Sequence, residues 1–207
     1  MKVINNIKEK GDIMEVKNEI KGELYEKFMR YAFKKCDAVM FVFSRVGYEG
    51  EELSVMEKNA QIVKDKLKKS VWKIRHGDCW VYSGSFHRYP GDAANDTEVF
   101  FYKTHKAVLD YLLSNKELYK WLSPDYPEDI AFFKNGNCWF YSVIHEELCW
   151  INCRNKKEYE ELKSLGIEFY EKSFVRTPIG YIYYEWFYNK DNFWILFWIL
   201  FIGFLAN

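Results

Sequence analysis

The feature that most constrains this chain is the pair Asn135-Gly136, which lies between two runs of apolar and aromatic residues. The whole segment reads IAFFKNGNCWFYSVI over residues 130–144. Asn-Gly favours a two-residue hairpin turn, because both residues accept the positive φ angles that this turn requires. A third apolar run at residues 148–153 follows a His-Glu-Glu sequence at 145–147. The pattern therefore predicts three adjacent antiparallel strands, with His-Glu-Glu at the bend before the third strand.

Hydrophobic periodicity along the rest of the chain predicts an α+β fold. The continuous apolar run at 38–46 is typical of a central strand buried on both faces. A helix is predicted between Asn155 and Gly166, which suit its two caps, and Thr104 can cap another helix through its hydroxyl. We expect a mixed, mostly antiparallel sheet of about six to eight strands with helices packed on one face. The other predicted helices cover 22–36, 51–69, 105–115 and 116–122, and the other strands include 71–76, 97–103 and 167–175.

A second hairpin is predicted over residues 71–85 and resembles the first. HGDCWVYS at 76–83 and NGNCWFYS at 135–142 share Gly, Cys, Trp, Tyr and Ser at the same spacing. Two duplicated hairpin-plus-helix units would explain this likeness. The alternative is chance convergence, because aromatic residues make up 20% of the chain.

Both ends of the chain differ from residues 22–176, which we expect to form a single α+β domain. Residues 1–21 are expected to be disordered or wrongly included. Codons for the residues just before Met14 can contain a purine-rich ribosome-binding sequence, which indicates that translation starts at Met14. Residues 177–207 form an aromatic and apolar tail.

The tail contains fourteen apolar residues without a charge, at 193–206. As a helix this segment would be about 21 Å long, whereas the hydrocarbon core of a bilayer is about 30 Å thick. Three interpretations stay open: a short membrane anchor, a helix docked on the domain or on a partner, and appended coding sequence without a structural role.

Charge and cysteine content limit the class of protein. Lys plus Arg equals Asp plus Glu, which argues against a dedicated nucleic-acid binder. The five cysteines contain no CxxC pair, and the polar N-terminus is unlike a signal peptide. We therefore expect reduced thiols and a cytoplasmic location, with membrane association only through residues 193–206. No phosphate loop, dinucleotide fingerprint or serine elbow occurs, so no cofactor is predicted.

The His-Glu-Glu bend permits several kinds of site. A zinc protease needs His-Glu-x-x-His on a helix, whereas this sequence reads His-Glu-Glu-Leu-Cys between strands. A hydrolase could use His145 with Glu146 or Glu147 as acid and base. A recognition surface could instead present acidic groups to a basic partner. The residues predicted for that surface are Asp125, Glu128, Asp129, Trp139, His145 and Glu146.

Residues 121–151 resemble a family of small Gram-positive bacterial proteins that are sometimes labelled stage III sporulation protein AH-like. The matching positions are Pro127, Glu128, Asp129, Asn135, Gly136, Trp139, His145 and Glu146. The resemblance implies an α+β domain over residues 22–175 and implies no mechanism.

These observations favour a non-enzymatic protein-binding module, by analogy with small α+β immunity or antitoxin domains that use acidic, aromatic-rich surfaces. The first alternative is the hydrolase just described, which requires a concave pocket at His145. The second is a membrane-tethered accessory protein anchored by residues 193–206.

Overall fold

The structure is a computed structural model, and it describes residues 12–45, 47–76 and 97–170. Within these ranges the chain forms seven strands and four α-helices. The strands are β1 Asp12–Glu15, β2 Ala38–Ser44, β3 Val71–His76, β4 Thr97–Lys103, β5 Glu128–Lys134, β6 Asn137–Val143 and β7 Leu148–Cys153. The helices are α1 Gly22–Lys35, α2 Gly50–Leu67, α3 Lys106–Leu112 and α4 Lys156–Leu165.

The strands form one sheet in the order β1-β7-β6-β5-β2-β4-β3. Every pairing between these strands is antiparallel. The predicted α+β class and mostly antiparallel sheet are therefore confirmed. β2 lies in the interior of the sheet and six of its seven residues are buried, as its continuous apolar run predicts.

The four helices cover one face of this sheet, as expected. Phe28 of α1 packs edge-on against Phe140 of β6, with ring centroids 5.0 Å apart. Tyr111 of α3 packs in the same way against Phe41 of β2 at 5.7 Å. The buried residues of α2 and α4 belong to the same apolar core. The opposite face carries a smaller buried cluster, formed by Ala38, Met40, Val42, Val99, Phe101, Ala131 and Phe133.

The hairpin predicted from Asn135-Gly136 joins β5 to β6. The two turn residues have φ angles of 50° and 76°, which only Gly and a few polar residues adopt without strain. The caps of α4 also agree with the sequence. Asn155 accepts a 2.9 Å hydrogen bond from the backbone N–H of Glu158, and Gly166 ends the helix at φ 105°.

The ordered domain begins earlier than residue 22. Residues 12–15 form β1, which pairs with β7 along its whole length, and the Met14 side chain is fully buried. The expectation of a disordered segment up to residue 21 is thus wrong for residues 12–21. The expectation rested on the codons before Met14, which contain no information about the pairing of β1 with β7.

Three smaller expectations also need correction. Thr104 does not cap α3: the N-cap is His105, and no side chain caps it, while the Thr104 hydroxyl lies 3.5 Å from the carbonyl of Asp37. The helix predicted over 116–122 is a single 3-10 turn, Leu118–Lys120. The described part of the strand predicted at 167–175 makes only one isolated bridge, between Phe169 and Val16.

The chain divides into a unit that ends at Ser173 and a second that begins at Phe174. All described residues belong to the first unit. The tail at 177–207 and most of the predicted second hairpin lie outside the described residues, so duplication stays a prediction. No helix in the described ranges is long and apolar enough to cross a membrane.

Candidate functional site

The bend between β6 and β7 contains the His-Glu-Glu sequence, as predicted. Ile144–Glu146 form one 3-10 turn, and Glu147 adopts a left-handed conformation with φ 52° and ψ 38°. This single left-handed residue reverses the chain into β7. The three side chains therefore lie on a tight turn and not on a helix, which removes the geometry that a zinc protease requires.

A buried carboxylate from the start of β5 contacts the imidazole. Nε2 of His145 lies 3.1 Å from Oε2 of Glu128. The Glu128 side chain is only 9% exposed, whereas that of His145 is 61% exposed. The other oxygen of Glu128 accepts a hydrogen bond from the backbone N–H of Ser123. Glu128 thus holds both the turn at His145 and the loop before β5, which contains Ser123.

Asp129, the next residue, holds the same turn from a second side. Its Oδ1 accepts a 3.0 Å hydrogen bond from the backbone N–H of Ile144, and its own backbone has φ 49°. Burial raises the pKa of Asp129 to about 6, and the neighbouring charge of Glu128 adds to the rise. The hydrogen bond from Ile144 and the nearby His145 act in the opposite direction on this pKa.

We call these residues the acidic corner: Asp125, Glu128, Asp129, His145, Glu146 and Glu147. Asp125, His145, Glu146 and Glu147 are exposed, Glu128 is buried and Asp129 is half-buried. Trp139, which we predicted as part of the same surface, lies elsewhere. It is 1% exposed and its indole N–H donates to Glu158, so we assign it to the core.

The contact between His145 and Glu128 was missed by sequence reasoning, which paired the imidazole with its neighbours Glu146 and Glu147. The hairpin around Asn135-Gly136 does indicate this contact. Because β5 and β6 run antiparallel around the Asn135-Gly136 turn, the start of β5 must lie beside the end of β6. Counting outward from the turn brings Glu128 close to His145.

The described residues line a small cavity next to Asp125 of the acidic corner. Its volume is about 10 Å³, which is room for about one water. A substrate pocket has about 300 Å³ or more. His145 does not line this cavity; its lining residues are Phe43, Met56, Asn59, Ala60, Val63, Ser123, Pro124, Asp125, Tyr126 and Pro127.

Two of the described cysteines are poor nucleophiles because they are buried. Burial raises the pKa of Cys149 and that of Cys36 to about 12, so neither thiol forms a nucleophilic thiolate near neutral pH. The Cys149 sulfur accepts a hydrogen bond from the Tyr119 hydroxyl. No group of three or more metal-ligating side chains occurs within the described ranges.

No protein-family model, no curated protein and no solved structure matches this chain. Its function is therefore inferred from the geometry of its surfaces.

Proposed function

We propose that the acidic corner binds a basic face of another protein, and that this chain is a protein-binding module of the immunity or antitoxin kind. The observation that carries the proposal is that Asp125, His145, Glu146 and Glu147 are exposed. The carboxylates of Glu128 and Asp129, which are less exposed, hold the turn in place. The family resemblance and the cytoplasmic location remain predictions beside it.

Rigidity supports this proposal as much as charge does. Exposed carboxylates on a mobile loop lose conformational freedom when they bind, which lowers affinity. Here the turn is fixed by hydrogen bonds to Glu128 and Asp129, which begin β5. The exposed acids are therefore presented in one arrangement, and a partner with matching Lys or Arg residues pays less entropy on binding.

The test is capture from cells of the source organism at low and high salt. The wild-type chain is expected to capture a defined basic protein, and the triple variant Asp125→Lys, Glu146→Lys, Glu147→Lys to lose it. The matched control reverses three exposed acids of other surfaces, Glu26, Glu57 and Glu160. Capture that survives the corner variant, or that the control loses equally, would remove the acidic corner from the binding surface.

One observation favours a second candidate, a hydrolase. The pair Glu128 and His145 has the arrangement of a carboxylate that orients a general base. An ester panel assayed with wild type, His145→Ala and Glu128→Gln tests it. Turnover that both variants abolish, while both stay folded, would favour this candidate over the binding module. The membrane-tethered alternative concerns residues 193–206, and detergent dependence of the chain with and without residues 177–207 tests it.

A further inference from the structure

The end of the sheet opposite the acidic corner brings together five connections that are far apart in sequence. They join α1 to β2, α2 to β3, β4 to α3, β5 to β6, and β7 to α4. Each connection carries Lys or Arg in it or beside it. We call this set the basic strip: Lys34, Lys35, Lys68, Lys69, Lys103, Lys106, Lys134, Arg154, Lys156 and Lys157.

Hydrogen bonds join these connections into one continuous surface. The Arg154 guanidinium donates to the backbone carbonyl of Lys134 at 3.4 Å, and the next backbone N–H, of Asn135, donates to the Asp37 carboxylate at 2.8 Å. The Asp37 carbonyl in turn accepts from the backbone N–H of Thr104 at 3.3 Å.

The same chain of contacts continues to the edge strand. His105, beside Thr104, contacts the hydroxyl of Ser70 through Nδ1 at 3.2 Å, and Ser70 directly precedes β3. The backbone positions that carry these cationic side chains are therefore fixed relative to one another.

Charge on this surface is largely unbalanced. Lys35 pairs with buried Glu158, Lys106 with Asp110 and Lys157 with Glu161. Lys68, Lys69, Lys103 and Lys156 are exposed, and none of them lies within ion-pair distance of a carboxylate among the described residues. A net charge of zero argues against a polyanionic partner only when opposite charges are evenly mixed, and at this end they are not.

The shape and composition of the basic strip indicate the class of partner. From β7 to β3 it crosses five strand spacings, which is about 24 Å at about 4.8 Å each. A bilayer surface binds apolar side chains that insert among its headgroups. The connections at Asp37, Asn135-Gly136 and Asn155 offer polar residues or glycine instead. A polar, strongly cationic surface is typical of contact with nucleic-acid phosphates.

An exposed aromatic side chain, Trp72, lies beside the basic strip, where it can stack on a base. Trp72, three residues after Lys69, is 55% exposed and occupies an irregularity in the pairing of β3 with β4 between Val71 and Lys73. Aromatic rings beside a cationic track stack on the bases of single strands, which have unpaired faces.

We propose that the basic strip binds single-stranded nucleic acid, with its lysines and Arg154 on the phosphates and the Trp72 indole stacked on a base. This surface is separate from the acidic corner, so the proposal does not depend on a basic protein partner.

The probe is a fluorescently labelled oligonucleotide of twenty thymidines, titrated with the full chain and followed by anisotropy. Because each phosphate contact releases counterion, the affinity should fall about a hundredfold between 50 and 200 mM salt if about five contacts form. Lys69→Glu, Lys103→Glu, Lys156→Glu in one chain should weaken binding by more than tenfold. Trp72→Ala should weaken it about tenfold, from the loss of one stacked base.

The matched control replaces three exposed lysines outside the strip, Lys58, Lys116 and Lys120, by glutamate. It changes the net charge as much as the strip variant does, and its affinity should stay close to that of wild type. Thermal unfolding checks that each variant is folded. Equal losses in the strip variant and the control would overturn the proposal. Binding to poly-glutamate or to phosphatidylserine vesicles without binding to the oligonucleotide would also overturn it, in favour of an acidic protein or a membrane.

Discussion

The acidic corner and the basic strip lie at opposite ends of the same sheet, and they handle charge in different ways. At the acidic corner, Glu128 and Asp129 are drawn inward to hold a turn, and only the remaining acids face solvent. At the basic strip, most of the lysines stay exposed and the backbone connections carry the contacts. The formal net charge of the chain is zero, yet an acidic and a basic surface lie at opposite ends of its sheet. The net charge alone does not reveal this separation.

Each end also depends on one buried glutamate, and the two glutamates differ in their number of partners. Glu128 contacts an exposed imidazole and one backbone N–H. Glu158 lies 2.7 Å from the Lys35 ammonium and accepts from the Trp139 indole and from the backbone N–H of Arg154. Removal of the Glu158 carboxylate should therefore lower the free energy of unfolding more than removal of the His145 imidazole, which is only one of the partners of Glu128.

The largest loss of stability is expected for Glu158→Ala. The change leaves the buried Trp139 N–H and the half-buried Lys35 without their carboxylate, so the free energy of unfolding should fall by about 3 kcal/mol. Denaturant unfolding measures the change. Glu160→Ala, at an exposed position of the same helix, should alter stability by less than about 0.5 kcal/mol. Similar values for the two variants would mean that Glu158 does not anchor the strip.

An effect of the opposite sign, a gain of stability, is expected at the acidic corner for Asp129→Asn. The pKa of Asp129 is about 6 in the folded chain, above its ordinary value of 3.8. The folded state therefore holds this proton more tightly than the unfolded state, and the contribution of Asp129 to stability falls as pH rises from 4 to about 6. Near neutral pH its ionised form costs about 3 kcal/mol.

Asparagine keeps the oxygen that accepts from Ile144, tolerates the positive φ at this position and carries no charge. Asp129→Asn should therefore be more stable than wild type by about 3 kcal/mol near pH 7, with the difference vanishing below about pH 4. Thermal unfolding at several pH values measures it, with exposed Asp125→Asn as the control. A difference that stays constant with pH would show that Asp129 titrates normally.

Much of the fold could be predicted from local sequence signals. The turn at Asn135-Gly136 gave the register of β5 and β6, and the caps Asn155 and Gly166 gave the bounds of α4, because each depends on a few neighbouring residues. β1 was missed because its stability comes from pairing with β7, some 140 residues away. Local propensity contains no information about such a partner.

The sites were harder to predict for the same reason. His145 and Glu146 are neighbours in sequence, but the carboxylate that contacts the imidazole belongs to Glu128, across the hairpin. Trp139 was predicted to belong to the recognition surface, but the structure places it against Glu158, in α4. Lysines in five separate connections had no visible relation until the sheet order brought them to one end.

The smallest effect is expected for His145→Ala. The side chain is 61% exposed, and Glu128 keeps its hydrogen bond from Ser123 when the imidazole is removed, so the free energy of unfolding should change by less than about 1 kcal/mol. Glu128→Ala is the matched change on the buried side of the same contact; it should cost more, because Ser123 then loses its acceptor and a small cavity remains. Both are measured by denaturant unfolding at neutral pH. If His145→Ala proved as costly as Glu128→Ala, the imidazole would be part of the buried framework, and the acidic corner would lose the exposed turn that distinguishes it from the basic strip.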